Sequence, residues 1–150
     1  MESTQVAPLS FNAKTRYGLL ALLELAGIEA RGGRLQVSAI AQRQDIPERY
    51  LEQLLTSLRK EGLLNSSRGP RGGYQLTRPA ATIHLSEVLD CLEGRSEPEQ
   101  AVQPSLERQV LHALDTQLTD QRRTLLESTT LADLLAQRDA RLQAQAMYFI

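Results

Sequence analysis

Residues 47–76 read PERYLEQLLTSLRKEGLLNSSRGPRGGYQL, and this stretch decides the fold. Its first half has leucines at the i, i+3, i+4 and i+7 spacing of one helical face, at positions 51, 54, 55 and 58. At about 100° per residue the opposite face carries Arg49, Gln53, Thr56 and Lys60, with Glu52 and Arg59 on one flank. The pattern predicts a helix from about Pro47 to Glu61 that packs through its leucines, and Gly62 is expected to end it in left-handed geometry.

The segment before this helix predicts a helix-turn-helix. A first helix is expected over about residues 12–30, and its leucine-rich sequence leaves little polar face. A short second helix is expected to run to Gln44 with Ser38 as its N-cap, and Asp45-Ile46-Pro47 breaks the chain before the third. Two short helices joined by a tight turn, the second with an exposed basic and amide face, are typical of a helix-turn-helix.

The second half of the quoted stretch predicts a β-hairpin. Three glycines and a proline separate two extended segments, and Tyr74 and Leu76 alternate with Gln75. A hairpin that follows a helix-turn-helix in this way is a wing. The residues expected at its tip are Arg68, Gly69, Arg71, Gly72 and Gly73.

A linker and an acidic arm follow. After a helix expected from Ser86 to Gly94, residues 95–104 (RSEPEQAVQP) form a polar segment with two prolines. A long helix is then expected from about Ser105 to Ser128, and four of its leucines are spaced like a short coiled-coil seam, namely Leu111, Leu114, Leu118 and Leu125. The helix cannot bury this seam alone, so we expect it to pair with its own copy in a homodimer. The alternative is that it folds back onto the winged module.

The predicted fold class is therefore mainly α with a small β wing, a winged helix-turn-helix domain joined to a long dimerisation helix. The predicted domains are a flexible lead at 1–10, the winged helix-turn-helix domain at 11–94, the linker at 95–104, the dimerisation helix with a following short helix at 105–136, and a tail at 137–150. Thr130 and Asp133 are expected to cap the short helix.

Composition excludes several classes of protein. The chain has 150 residues, of which 41% are hydrophobic and only 4% aromatic, so its core must be aliphatic. The longest apolar run is Leu19–Leu23, too short to span a bilayer, and we expect a soluble, cytoplasmic protein that does not contact membranes. The single cysteine, Cys91, excludes a disulfide scaffold and a structural zinc finger.

The net charge of −1 conceals a polarity along the chain. Residues 12–78 hold 11 Lys and Arg against 6 Asp and Glu, a net charge of +5, and the remainder holds 6 against 12, a net charge of −6. A basic N-terminal module is thus joined to an acidic arm. Charge of this size is also common on solvated surfaces, so the motifs must identify the partner.

Four segments resemble a known family of bacterial regulators. They are Lys14-Thr15-Arg16-Tyr17, Tyr50-Leu51-Glu52-Gln53-Leu54, Arg68-Gly69-Pro70-Arg71-Gly72-Gly73-Tyr74 and Leu92-Glu93-Gly94. Together they resemble the IscR/NsrR/CymR family, dimeric winged-helix transcription factors of the Rrf-two type. The resemblance covers about residues 11–136 and implies that the third helix enters the major groove of double-stranded DNA, the wing tip reaches the minor groove, and the long helix pairs with its two-fold mate.

The resemblance also implies roles for individual residues. Tyr50, Glu52 and Gln53 lie in the matching recognition segment, and Arg68 matches the wing arginine. A glutamate can accept a hydrogen bond from the amino group of cytosine and reject bases that lack one. Phosphate contacts are expected from Arg49, Arg59 and Lys60. The alternative for Tyr50 and Glu52 is that they brace the helix, Tyr50 against the core edge and Glu52 with Arg59 or Arg49.

Many members of the family hold an iron–sulfur cluster through three cysteines in the loop before the long helix. Here residues 95–109 contain no cysteine, so we predict no cofactor. His112 falls where some relatives use a histidine as a cluster ligand. The alternative interpretation is that its imidazole simply lies on the helix surface. Cys91 lies outside the family's cysteine loop and is expected to be a packed small hydrophobe.

The function predicted is a homodimeric, sequence-specific DNA-binding regulator, a repressor on a near-palindromic operator. One alternative is a metal- or redox-sensing regulator that holds an iron–sulfur cluster or metal through Cys91 and His112. Another is a protein-interaction subunit that has lost DNA binding, against which the intact Arg68 and Arg71 speak. An enzyme is not expected, because the glycine-rich segment lacks the Gly-Lys-Ser/Thr ending of a phosphate loop.

Overall fold

The first helices form because their apolar residues meet in one aliphatic core. The computed structural model describes residues 11–94 and 105–148. Helix α1 (Ala13–Glu29) begins at Asn12, whose side chain accepts a hydrogen bond from the Thr15 N–H, and α2 (Val37–Gln44) and α3 (Glu48–Lys60) pack against it. The buried side chains include Leu22 and Leu25 of α1, Ile40 of α2, and Leu51, Leu54, Leu55 and Leu58 of α3. The predicted leucine stripe of α3 is therefore its buried face.

Strands β1 (Leu64–Ser67) and β2 (Gly73–Leu76) form an antiparallel hairpin whose register pairs Leu64 with Leu76 and Ser67 with Gly73. Gly62, at φ +84°, ends α3 as predicted, and the Leu63 N–H donates to the Leu58 carbonyl across it. These observations confirm the mainly α fold with a small β wing.

The second half of the chain contains a 3-10 helix (Ala80–Thr82), α4 (Leu85–Glu93), α5 (Leu106–Ser128) and α6 (Leu131–Tyr148). Two backbone hydrogen bonds join the ends of these elements, from the Leu85 N–H to the Thr129 carbonyl at 2.9 Å and from the Leu131 N–H to the Ile83 carbonyl at 3.0 Å. The predicted cap of α6 is present, because the Thr130 N–H donates to the Asp133 carboxylate and the Asp133 N–H to the Thr130 hydroxyl.

Several predicted boundaries differ from the structure. Helix α2 begins after Gln36 and not at Ser38, and α4 begins after His84 and not at Ser86. Helix α6 continues to Tyr148, beyond the predicted limit near 136, because residues 136–148 contain strong helix formers and no glycine or proline. The chain divides into two compact units, Met1–Thr77 and Arg78–Ile150. The predicted domain limits stay predictions, and the lead at 1–10 and the linker at 95–104 lie outside the described residues.

Candidate nucleic-acid interface

A tight turn positions α3 against α2. Asp45 ends α2 in the left-handed conformation, at φ 54° and ψ 53°, and the Ile46 N–H donates to the Ala41 carbonyl at 3.0 Å. Ile46 is buried, so it holds the turn in the core. Helix α3 begins at Glu48, one residue later than predicted, because Pro47 has an extended ψ of 119° and is the N-cap. Sequence reasoning identified the break, and it missed Asp45 as the residue that makes the turn.

The outward face of α3 presents most of the residues of this helix that are predicted to bind DNA. Five of them are exposed, namely Arg49, Glu52, Gln53, Arg59 and Lys60. The carboxylate of Glu52 makes no hydrogen bond or ion pair within residues 11–94 and 105–148, so the predicted alternative of a brace with Arg59 or Arg49 has no contact to support it. The face is polar and available to a partner.

Tyr50 occupies a different environment. Its side chain is half-buried and meets Tyr17 of α1 edge-on, with ring centroids 5.8 Å apart and an angle of 81° between the planes. The Arg16 guanidinium lies 5.2 Å from the centre of the Tyr17 ring. This geometry corresponds to the bracing alternative for Tyr50, because an edge-to-face aromatic pair fixes the start of α3 on α1.

Arg59 also makes a contact that the sequence did not predict. Its Nη1 donates to the Ser66 hydroxyl of β1 at 3.2 Å, so this arginine joins α3 to the wing. Nearby, Arg34 Nη1 donates to the Asn65 side-chain oxygen at 3.0 Å. Arg59 remains exposed, and the same side chain has donors left for a phosphate.

The wing tip is a tight turn. The Gly72 N–H donates to the Gly69 carbonyl at 2.9 Å, and Pro70 and Arg71 occupy the two central positions. A Cβ on Gly72 would lie 2.2 Å from the Ser67 carbonyl oxygen, so only glycine fits there. Arg68 and Arg71 are exposed on either side of Pro70. The structure thus brings the predicted tip residues together in one turn.

A third extended segment supports the wing, and no pattern in the sequence predicts it. Leu35 and Tyr74 exchange two backbone hydrogen bonds, at 3.0 Å from the Leu35 N–H and at 2.8 Å from the Tyr74 N–H. The next residue, Gln36, donates from Nε2 to the Pro70 carbonyl at 3.3 Å. The chain before α2 therefore holds β2 near the tip, through Tyr74, and the tip turn itself, through Pro70.

An open depression of about 310 Å³ lies between the helix-turn-helix and the wing. Its lining comes from the start of α2, the first turns of α3 and the hairpin, and consists of Gln36, Val37, Ser38, Glu48, Glu52, Ser67, Gly69, Gly73 and Tyr74. The recognition face and the wing are therefore parts of one continuous surface, although they are distant in sequence.

A buried carboxylate braces the C-terminal end of α2. Glu24 of α1 is only 9% exposed and accepts hydrogen bonds from Gln44 Nε2 at 2.6 Å and from Arg43 Nε at 3.2 Å. A buried charge needs such partners to offset the loss of its hydration. The carboxylate fixes the end of α2 at the residues that precede the Asp45 turn.

Helix α5 carries an exposed apolar face. The predicted seam residues Leu111, Leu114, Leu118 and Leu125 are 65%, 51%, 59% and 65% exposed, respectively. Beside this seam, Arg122 pairs with Glu93 and Arg123 with Asp90 of α4, at 3.3 and 3.2 Å. The hydrogen bond and charge of Asp90 raise the pKa of Arg123. No described residue of the chain covers these leucines.

A charged cap begins α4. Glu87 accepts hydrogen bonds from the His84 backbone N–H and from Arg78. Burial alone would raise the pKa of Glu87, but the hydrogen bonds from His84 and Arg78 and the charge of Arg78 outweigh it, so the pKa lies below its usual value.

Comparison with known proteins identifies the family. The sequence model of the Rrf2 family, iron-dependent transcriptional regulators, matches residues 11–137. The chain belongs to the Rrf2 family. The match confirms the family resemblance that the sequence motifs indicated. As a member of the Rrf2 family, the chain is a transcriptional regulator and not an enzyme.

Individual relatives of the Rrf2 chain agree with this assignment. CymR of Bacillus subtilis is 34% identical over 140 residues, which cover 93% of this chain and 99% of CymR, and its solved structure gives a TM-score of 0.75 over 86% of this chain and 98% of that one. The structure of T. potens IscR gives a TM-score of 0.69 at 33% identity, over 87% of this chain and 88% of that one. IscR of Cereibacter sphaeroides is 42% identical over 86 residues, 57% of this chain, and the match spans only 56% of that relative.

The donor set of this Rrf2 chain does not fit a three-cysteine iron–sulfur cluster. Such a cluster requires thiolates, and the sequence contains one cysteine. Cys91 is half-buried in α4 and His112 is exposed on α5. Within residues 11–94 and 105–148, no three His, Cys, Asp or Glu side chains come together as metal ligands. None of the helices in these ranges is long and apolar enough to cross a membrane.

Proposed function

We propose that this Rrf2-family chain is a sequence-specific DNA-binding repressor that acts as a homodimer on a near-palindromic operator, without the three-cysteine iron–sulfur site. The observation that carries the proposal is the continuous surface of α3 and the wing, which presents amide, carboxylate and arginine groups beside one depression. A dimer bound over a promoter would exclude other proteins from the DNA that it covers, and we therefore assign it the role of repressor.

The residues of α3 divide between base reading and phosphate binding. Gln53 offers the paired amide groups that recognise adenine, and Glu52 offers an acceptor for the amino group of cytosine. Arg49 and Lys60 supply positive charge for phosphates, which gives affinity without base preference. Because Glu52 has no internal partner among the described residues, its carboxylate is available to a base.

The wing supplies the second contact. Arg68 and Arg71 are exposed beside the tip turn and make no ion pair with a described residue. Guanidinium groups enter a narrow minor groove favourably, because its potential is negative. We propose that Arg68 and Arg71 do so, with the backbone of Gly69, Gly72 and Gly73 allowing close approach.

The exposed face of α5 supports a second copy of this chain as its partner. A two-fold pair of α5 helices would bury the same leucines on both copies, as a self-complementary interface requires. The two α3 helices would then meet half-sites about one DNA turn, roughly 34–36 Å, or a multiple of it apart.

The competing function is a metal- or iron–sulfur-sensing regulator that uses Cys91 and His112. Its test is the ultraviolet–visible spectrum of anaerobically purified protein, because an iron–sulfur centre is coloured. A coloured protein that loses its absorption in Cys91→Ser or His112→Ala would replace the cluster-free assignment.

The DNA proposal is tested by recovering operators from fragmented genomic DNA with the purified protein. We expect Glu52→Ala or Gln53→Ala to cost about 1–3 kcal/mol on the operator and to relax preference at particular positions. Lys60→Ala should weaken operator and random DNA alike and reduce the salt dependence. Gln42→Ala, on exposed α2 surface, is the control.

If the purified protein enriches no DNA sequence, the result favours the alternative that the chain is a protein-interaction subunit that has lost DNA binding. Equal losses on operator and random DNA for Glu52→Ala would remove Glu52 from the base-reading set.

A further inference from the structure

The position of the wing tip depends on contacts that lie outside the hairpin. Along β1, Asn65 accepts from Arg34 and Ser66 from Arg59, and both contacts hold the lower part of the wing. The tip turn lies beyond them. There the Pro70 carbonyl accepts a hydrogen bond from Gln36 Nε2 at 3.3 Å.

Gln36 is well placed to control the turn. Its backbone is fixed on one side by the Leu35–Tyr74 pairing and on the other by α2, because the Gln36 carbonyl accepts from the Ala39 and Ile40 N–H groups. Its side chain makes no capping bond to α2, so the amide is free to serve the wing. A rigid backbone thus presents a donor to Pro70, which lies between Arg68 and Arg71 in sequence.

We propose that Gln36 is a positioning residue that sets the wing-tip arginines Arg68 and Arg71 for DNA. The inference rests on the proposed DNA-binding function. Holding the turn before DNA arrives reduces the conformational entropy that binding must remove. The Gln36 amide acts through the Pro70 carbonyl, and it contributes to affinity only while the two arginines are present.

A double-mutant cycle separates this role from a direct contact between Gln36 and DNA. The variants are Gln36→Ala, the pair Arg68→Ala with Arg71→Ala, and the combination of all three, each titrated with operator DNA. Gln42→Ala is the matched control, since it removes an exposed glutamine amide from the same region. Thermal melting of each variant checks that the fold is retained.

We expect Gln36→Ala to weaken operator binding by about 2- to 10-fold, the change equivalent to one hydrogen bond. In the background lacking both arginines the same substitution should have no further effect. Hydroxyl-radical footprints of Gln36→Ala should lose protection at the minor-groove contact and keep protection at the major-groove contact.

Equal losses in both backgrounds would overturn the inference, because Gln36 would then act independently of the tip arginines. That result leaves the proposed function intact. If instead removal of both arginines leaves operator affinity unchanged, the proposed wing contact itself is wrong, and the role of Gln36 is rejected with it.

Discussion

Replacement of Gly73 by alanine tests whether the wing is built against the segment before α2. Gly73 has φ +132°, a conformation that residues with a side chain rarely adopt. A Cβ there would lie 2.5 Å from the Leu35 carbonyl oxygen and 2.6 Å from the Leu35 carbonyl carbon. The added methyl group therefore strains its own backbone and pushes against the extended segment before α2 that holds the wing.

The expected cost follows from two contributions. Backbone strain in this region costs about 1–3 kcal/mol. Separation of Leu35 from Tyr74 breaks two hydrogen bonds, each worth about 0.5–1.5 kcal/mol. Because the hairpin can shift to relieve part of the clash, we expect a loss of about 2–4 kcal/mol in the free energy of unfolding for Gly73→Ala.

The assay is urea unfolding at fixed protein concentration, since the proposed association between copies would contribute to stability. Gly69→Ala is the control, because Gly69 also has positive φ, +100°, but its Cβ would meet nothing within 4 Å. The difference between the variants isolates the clash and the lost pairing, about 1–3 kcal/mol. If Gly73→Ala is no less stable than Gly69→Ala, the close approach to Leu35 does not constrain the wing.

Three other perturbations test the second unit. The double variant Leu114→Asp with Leu118→Asp places charge in the seam, so it should be monomeric by sedimentation and should bind the operator more than tenfold more weakly. The control, Thr116→Asp, lies on the opposite face of α5 and should stay dimeric. If the double variant is still a dimer, the proposed α5 interface is refuted. The lowered pKa of Glu87 means that its charged form stabilises the fold above about pH 4.5 and that this stability is lost as the pH falls further. Glu87→Gln should therefore lower the free energy of unfolding at pH 7 by at most about 1 kcal/mol, and the variant and the wild type should become equally stable in acid. If the difference in stability between them is the same at every pH, the ion pair does not stabilise the fold. Cys91→Ser should leave operator affinity unchanged under oxidising and reducing conditions. If the operator affinity of the wild type changes with redox conditions and that of the variant does not, the Cys91 thiol is a redox sensor.

Local patterns in the sequence predicted the parts of the interface that depend on local structure. The leucine spacing of α3 requires one buried face, so its exposed residues followed from the same pattern. The tip of the wing followed from its glycines and proline. Family resemblance added the assignment of α3 to the major groove, which periodicity alone cannot supply.

Some of the unpredicted features are contacts between segments distant in sequence. Nothing near Leu35 marks it as the partner of Tyr74, and nothing in α1 marks Glu24 as a buried acceptor for the end of α2. The extent of α6 was missed for another reason. Its final residues form a helix through intrinsic propensity and without a continuous apolar stripe, and periodicity detects only the stripe.

The distribution of cations explains why a net charge of −1 does not argue against DNA binding. Some arginines of the first unit are engaged within the protein, as Arg34 is with Asn65 and Arg43 with Glu24. Arg49, Lys60, Arg68 and Arg71 are exposed and form no ion pair with a described residue, and these four cations lie on α3 and at the wing tip. DNA responds to the potential of the surface that faces it, within about 10 Å at ordinary salt. The acidic residues that cancel the net charge lie mostly after residue 78, and several of them are paired with arginines of their own unit. The sum over the chain therefore understates the positive potential of the surface that we propose binds DNA.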